Sequence, residues 1–148
     1  MLNIKQSEPI DILLVEDNPA DIRLIEEEFK EYNISINLHI VNDGELAMDY
    51  LKGKGKYKDR EFPDLILLDL NLPRKDGRDV IADIRDDPVL KNIPVIILTT
   101  SATEDDIMIT YNNKAICYII KPFKIKDFIQ VVDSIEFLKK KGIIKVLF

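Results

Sequence analysis

Short apolar blocks alternate along this chain with longer stretches in which apolar residues recur every three or four positions. Five blocks have the length of buried strands and cover residues 12–15, 36–41, 65–68, 95–98 and 116–120. Runs of this kind are typical of parallel strands whose two faces are both covered. The pattern therefore predicts a sheet with helices on either side.

The stretch after each block has the spacing of an amphipathic helix. Asn18, Asp43 and Thr103 are suitable N-caps for the first, second and fourth helices. The apolar faces comprise Ile22, Ile25, Phe29 and Tyr32 in the first helix, Leu46, Ala47, Tyr50 and Leu51 in the second, Gly77, Val80, Ile81 and Ile84 in the third, and Phe128, Val131, Val132, Ile135 and Leu138 in the fifth. We predict a doubly wound, flavodoxin-like α/β fold with a five-stranded parallel sheet in the order 2-1-3-4-5.

Length and composition favour a single domain over residues 1–148, with a core at about 10–139 and a short tail at 142–148. A net charge of −6 argues against a general nucleic-acid binder, which is normally basic. The single cysteine, Cys117, excludes an internal disulfide and suits a reducing compartment. Because neither a signal peptide nor a membrane-length apolar run is visible, we expect a cytoplasmic protein.

Polar residues that carry chemistry follow four of the five strands. The first strand ends at Glu16 and Asp17, the third at Asp69, the fourth at Thr99 and the fifth at Lys121. Ligands bind doubly wound sheets at the carboxyl ends of their strands, where the strand order reverses. We therefore expect these side chains to converge between strands one and three. The alternative is that Asp69 only caps the turn that follows it.

Three carboxylates in one cleft would repel each other and have raised pKa values unless a cation relieved them. Oxygen ligands without histidine or cysteine favour a hard ion, which makes Mg²⁺ the expected cofactor. A carboxylate is also a nucleophile towards phosphorus and can form an aspartyl phosphate. Mg²⁺, Lys121 and the Thr99 hydroxyl would then neutralise the three equatorial phosphoryl oxygens.

The motifs around these residues resemble the receiver domain of two-component response regulators. They are DILLVEDN, DLILLDLNLPRKDG, PVIILTTSA and CYIIKPF, in the family's order and spacing. The likeness covers about residues 10–139. The segments NLPRKDGRDVIADIRDDP and ILTTSATEDDI are most similar to those of stand-alone receivers associated with phytochrome-type histidine kinases.

The resemblance implies that Asp69 accepts a phosphoryl group from a phosphohistidine on a partner kinase. It implies that Asp17 binds Mg²⁺ directly, that Glu16 does so mainly through water, and that the Asn71 carbonyl completes the protein ligands. It also assigns phosphate binding to Thr99 and Lys121.

The resemblance further implies a cis peptide between Lys121 and Pro122, a conformation that is inexpensive only before proline. It places Tyr118 at the family's aromatic switch position, where the ring would rotate once the Thr99 hydroxyl moved towards the phosphate. A half-buried strand tyrosine with no switching role is the alternative interpretation of Tyr118.

The sequence thus predicts a phosphorylation-controlled module, not an enzyme beyond its own phosphorylation and dephosphorylation. Output would pass through a protein partner, a phosphorelay, or a homodimer formed by the fourth helix, fifth strand and fifth helix, to which residues 143–148 could add contacts. The rival function is a Mg²⁺-dependent phosphohydrolase with an aspartyl nucleophile. Such enzymes need a second acid two residues after the nucleophile, where this chain has Asn71. A scaffold that is never phosphorylated is the third possibility.

Four other features are expected to be structural. Residues 52–61 form either a solvated loop or an extension of the second helix, with a specific anion site there as the minority interpretation. His39 lies in a strand, and Cys117 is expected to be a buried small hydrophobe. Asp76 and Asp79 are expected to serve the start of the third helix.

Overall fold

The computed structural model describes residues 9–100 and 117–133, in which five strands form one parallel sheet. The strands are β1 (Ile10–Val15), β2 (Ile36–Val41), β3 (Leu65–Asp69), β4 (Val95–Thr99) and β5 (Cys117–Ile120). Their order is β2-β1-β3-β4-β5, and every neighbouring pair is parallel. The predicted sheet and its order are confirmed. Asp69 and Thr99 are the last residues of their strands rather than the first residues beyond them.

Four α-helices connect or follow these strands in the described residues. They are α1 (Pro19–Glu31), α2 (Gly44–Lys52), α3 (Gly77–Asp86) and α4 (Ile125–Asp133), with short 3₁₀ turns at Gly55–Tyr57 and Leu90–Asn92. α4 corresponds to the fifth predicted helix. The fourth predicted helix at Thr103, the end of the fifth, and the tail at 142–148 lie outside the described residues. No helix in the described ranges is both long and apolar enough to cross a bilayer.

Two hydrophobic layers sandwich the sheet, which explains why the strands are apolar on both faces. α1 and α4 cover one face, where Phe29 packs edge-on against Phe128 at 4.9 Å between ring centroids and lies 5.5 Å from Phe123. α2 and α3 cover the other face. The Glu28 carboxylate of α1 also accepts a hydrogen bond from the Ile125 N–H at 2.8 Å and so caps the start of α4. The first and last described helices are therefore joined by packing and by a polar contact.

The lysine-rich stretch at 52–61 is a loop, but it folds back onto α2 instead of being simply solvated. α2 ends at Lys52, and Gly53 adopts the left-handed conformation typical of a helix C-terminus, with φ of 64°. The Arg60 guanidinium then donates hydrogen bonds to the carbonyls of Tyr50 and Leu51, at 2.8 and 2.7 Å. Arg60 thereby supplies donors to the last carbonyls of the helix, of which that of Tyr50 also accepts from the Gly53 N–H at 3.1 Å.

The residues expected to be structural have identifiable contacts. The His39 imidazole lies 3.0 Å from the Asp11 carboxylate on the neighbouring strand. Asp76 caps α3 by accepting a hydrogen bond from the Arg78 N–H at 2.8 Å. The expected burial of Cys117 is wrong, because this residue is only half-buried. It begins β5, which lies at the edge of the sheet and has one neighbouring strand.

Candidate functional site

The adjacency of β1 and β3 brings the predicted acids together. Val15 pairs with Leu68, so the residues that follow, Glu16 and Asp69, emerge side by side at the carboxyl edge of the sheet. Glu16 is fully buried and Asp69 is 5% exposed, whereas Asp17 faces solvent. One carboxylate oxygen from each of these three residues lies within 4.8 Å of the others.

Backbone N–H groups hold two of these carboxylates in place. Glu16 Oε2 accepts hydrogen bonds from the N–H groups of Asp17 and Asn18, at 3.1 and 3.3 Å. Asp69 Oδ1 accepts from the Asn71 N–H at 3.0 Å. These contacts fix the buried oxygens at the end of the sheet.

The cluster of Glu16, Asp17 and Asp69 fits a hard divalent cation. Its donors are carboxylate oxygens, the ligand type that Mg²⁺ prefers, and an exposed member leaves room for bound water. The buried Glu16 Oε1 accepts no hydrogen bond in the described residues, although Lys121 Nζ lies 2.8 Å away and forms an ion pair with it. A buried oxygen with unused lone pairs suits a cation or a water bound to it. The structure thus brings together three of the residues that were expected to bind the divalent cation.

Lys121 links the carboxylates into one network. Its N–H donates to the Thr99 carbonyl at 2.7 Å, which holds the start of the loop after β5 against β4, and the bond to Pro122 is cis as expected. Its ammonium donates hydrogen bonds to Asp21 at 3.0 Å and Asp69 at 3.1 Å and makes the ion pair with Glu16. The cation thus contacts three carboxylates from three parts of the fold.

Sequence reasoning missed Asp21 as a member of this network. Asp21 lies in the first turn of α1, three residues after the N-cap Asn18, whose side chain accepts from the Asp21 N–H at 3.2 Å. A signal was present, because a helix that starts at the carboxyl end of β1 turns its first residues towards the same sheet edge. Apolar periodicity does not reveal such a position.

The buried charges shift one another's pKa. Burial is the largest cause that raises the pKa of Glu16, to about 7, and neighbouring Asp69 adds to it while Lys121 opposes it. Burial disfavours the charged form of Lys121, but its contacts with Glu16, Asp21 and Asp69 outweigh this and raise its pKa. The lysine is therefore charged at neutral pH, and Glu16 takes up a proton more readily than an exposed glutamate.

The other predicted residues surround this cluster at different depths. Thr99 ends β4 and is 2% exposed, one residue beyond the pairing of Asp69 with Leu98. Asn71 lies on the exposed rim of the cleft. Tyr118 is not in the cleft, because it lies on β5 opposite Ile97 and is half-buried against the α2–α3 layer.

Gly77 supports the site through its lack of a side chain. Its N–H donates to the Leu70 carbonyl at 3.0 Å. A Cβ at this position would overlap the Asp69 carbonyl oxygen and lie 2.7 Å from the Leu70 Cα. The close approach of α3 to the end of β3 therefore requires glycine. The sequence pattern had indicated only that Gly77 belongs to the helix face.

Several of the predicted site residues border an open cleft of about 450 Å³ at the point where the strand order reverses. Its lining residues are Asp17, Asn18, Pro19, Asp21, Asp69, Asn71, Thr100 and Lys121. The fold is a doubly wound parallel sheet, and its cleft holds clustered acids with a lysine hydrogen-bonded to the central aspartate, Asp69. This combination is typical of signalling domains that receive phosphoryl groups.

The chain belongs to the response regulator receiver domain family, whose model matches residues 12–133. It is 49% identical over 125 residues to the response regulator Rcp1 of a Synechocystis strain, covering 84% of this chain and 85% of that protein. The structure of the phosphorylated cyanobacterial phytochrome response regulator RcpA has a TM-score of 0.74 at 49% identity and covers 86% of this chain and 91% of RcpA.

The Mn²⁺-bound form of Rcp1 has a TM-score of 0.73 at 48% identity, covering 86% of this chain and 92% of that one. The predicted likeness to phytochrome-associated receivers is thus confirmed, as is a role in two-component signalling.

Proposed function

We propose that Asp69 accepts a phosphoryl group from a phosphohistidine on a partner kinase. A carboxylate oxygen of Asp69 forms a bond to phosphorus as the phosphorus–nitrogen bond breaks, and the electron pair of that bond stays on the imidazole. The observation that carries this proposal is that hydrogen bonds orient the Asp69 carboxylate. The Asn71 N–H donates to Oδ1 and the Lys121 ammonium donates to Oδ2. A nearly buried acid is thus oriented at an open cleft.

Asp17, Glu16, Asp69 and the Asn71 carbonyl would hold Mg²⁺. The bound ion would neutralise charge that develops on the phosphoryl oxygens and relieve the repulsion between the carboxylates. The clustering of three carboxylates supports this assignment, and the related Rcp1 structure holds Mn²⁺. The exposure of Asp17 leaves that ligand accessible to a hydrated ion.

Lys121 and the Thr99 hydroxyl would bind the transferred phosphoryl group. The Tyr118 ring would change its orientation in response. Support comes from the positions of Thr99 at the end of β4 and of Tyr118 on the neighbouring strand, three residues before Lys121. A Lys121→Ala substitution should not weaken Mg²⁺ binding, but it should weaken the response of Tyr118. If phosphorylation shifted the NMR signals of Tyr118 equally in the variant and in the unsubstituted protein, the role given to this lysine would be contradicted.

The rival function, hydrolysis of external phosphate esters, lacks its general acid. Two residues after the nucleophile, Asn71 contributes an N–H to Asp69 and an amide side chain, which cannot protonate a leaving group. We therefore propose that the chemistry is limited to self-phosphorylation and slow self-dephosphorylation.

The receiver family implies a histidine kinase as partner, and we propose a phytochrome-like one. We also propose a cytoplasmic location, which the single half-buried cysteine suits. The signalling surface would include β5 and α4, where Ile120 is 45% exposed on an edge strand and could contact a downstream protein or a second copy.

Incubation with Mg²⁺ and acetyl phosphate, followed by intact-mass measurement, tests the proposal. The protein should gain one acid-stable, base-labile phosphoryl group, and Asp69→Asn should gain none. Asp86→Asn is the matched control, since that side chain is 72% exposed at the far end of α3. A phosphoryl group on the Asp69→Asn variant, or sustained phosphate release from organic esters, would overturn the assignment.

A further inference from the structure

Asp21 differs from the other two carboxylates that contact the Lys121 ammonium. Glu16 and Asp69 are fixed at the end of the sheet, with side chains that are 0% and 6% exposed. The Asp21 side chain is 31% exposed and lies on the rim of the cleft, on the first turn of α1. Of the three partners, Asp21 alone can exchange the lysine for water without leaving a buried charge unpaired.

We propose that Asp21 is a positioning residue that competes with the phosphoryl group for Lys121. This inference rests on phosphoryl acceptance at Asp69. In the unphosphorylated protein, Asp21 draws the ammonium towards α1. Once Asp69 carries a phosphoryl group, the lysine must turn towards the phosphoryl oxygens, and the Asp21 carboxylate becomes a like charge beside them.

The contacts of the lysine set up the competition. In this structure its ammonium donates hydrogen bonds to Asp21 and Asp69 and forms an ion pair with Glu16, so all three contacts are with carboxylates. A phosphoryl group on Asp69 competes with these carboxylates for the same positive charge. Asp21 is the partner whose release costs least, because water reaches its side chain and can replace the lysine.

Among the described residues, Lys121 is the one hydrogen-bond and ion-pair partner of the Asp21 carboxylate. The backbone N–H of Asp21, not its carboxylate, takes part in the cap formed by Asn18. An Asp21→Asn variant keeps the size of the side chain and can still accept from Lys121, but it loses the negative charge. Asp21→Glu restores that charge, and Glu26→Gln removes an equal charge from an exposed position on the same helix.

Beryllofluoride, a phosphoryl analogue, is the probe, titrated in the presence of Mg²⁺ into the full chain and its variants by NMR. We expect Asp21→Asn to bind it about three- to ten-fold more tightly, the range expected for one like charge near the surface. Asp21→Glu and Glu26→Gln should remain within about two-fold of the unsubstituted protein. The gain should shrink at high salt, because a partly exposed charge is screened.

Titration with Mg²⁺ alone separates competition from a purely structural effect. Loss of a negative charge should weaken Mg²⁺ binding by Asp21→Asn, opposite in direction to its effect on beryllofluoride, whereas a distorted site would weaken both. Equal or weaker beryllofluoride binding by Asp21→Asn would overturn the inference and leave phosphoryl acceptance intact. Failure of the unsubstituted protein to bind the analogue would overturn both.

Discussion

Replacing Lys121 with methionine should destabilise the metal-free protein, because among the described residues it removes the only cation that contacts Glu16 and Asp69. Methionine keeps most of the apolar stem and deletes the charge. Glu16 and Asp69 would then face each other at the end of the sheet with side chains that are 0% and 6% exposed. The Asp21 contact matters less, since its side chain is partly hydrated.

The expected loss of unfolding free energy is about 2–4 kcal/mol. Removal of one partner from a buried ion pair costs roughly 3–5 kcal/mol when the other charge is left unpaired. Glu16 lowers this range, because its pKa is already raised to about 7 and it can take up a proton when Lys121 is absent. Protonation of Glu16 avoids leaving its charge buried and unpaired. The cost is then only the free energy of binding that proton near neutral pH, which is smaller.

Urea unfolding of the protein and of Lys121→Met, with and without Mg²⁺, provides the assay. Mg²⁺ should stabilise the variant more than the unsubstituted protein, because the ion supplies the positive charge that the variant lacks. Lys126→Met is the matched control, since Lys126 is exposed on α4. A loss below about 1 kcal/mol, or equal stabilisation of both proteins by Mg²⁺, would refute the view that Lys121 neutralises this cluster.

Two further substitutions test packing and ionisation. Gly77→Ala should lower the unfolding free energy by about 1–3 kcal/mol, because its methyl group would meet the backbone of Asp69 and Leu70; an unchanged urea midpoint would contradict this steric argument. Tyr50 has its pKa raised from 10.0 to about 12, mainly by burial and by Asp11, so its contribution to stability is present below about pH 10 and is lost as the pH rises through about 12. Tyr50→Phe should remove that pH dependence in urea titrations, and a persisting alkaline slope of equal size would contradict it.

The sheet and its acids were predictable from the sequence because local and long-range signals agree there. Blocks such as Leu65–Asp69 are too apolar to be exposed, and a carboxylate at the end of one has a defined place once parallel order is assumed. Glu16, Asp69 and Lys121 therefore follow from strand ends alone. Their convergence in the structure matches that reasoning.

What escaped prediction depends on contacts between elements rather than on periodicity. Asp21 joins the site because the first turn of α1 lies within reach of the Lys121 ammonium at the same sheet edge. Arg60 caps α2 from a loop that appeared merely hydrophilic. Cys117 is half-buried because its strand lies at an edge, which its apolar sequence does not reveal.

The reach of Lys121 across the chain has a consequence for biosynthesis. It follows Asp21 by 100 residues and Asp69 by 52, so a ribosome releases the negative charges of the cleft well before the ammonium that offsets them. The Phe123 and Phe128 rings that complete one face emerge later still. Until β5 has been made, a nascent chain without Mg²⁺ therefore has no lysine to offset the repulsion between Glu16 and Asp69, and the cleft cannot reach its final arrangement before Lys121 emerges.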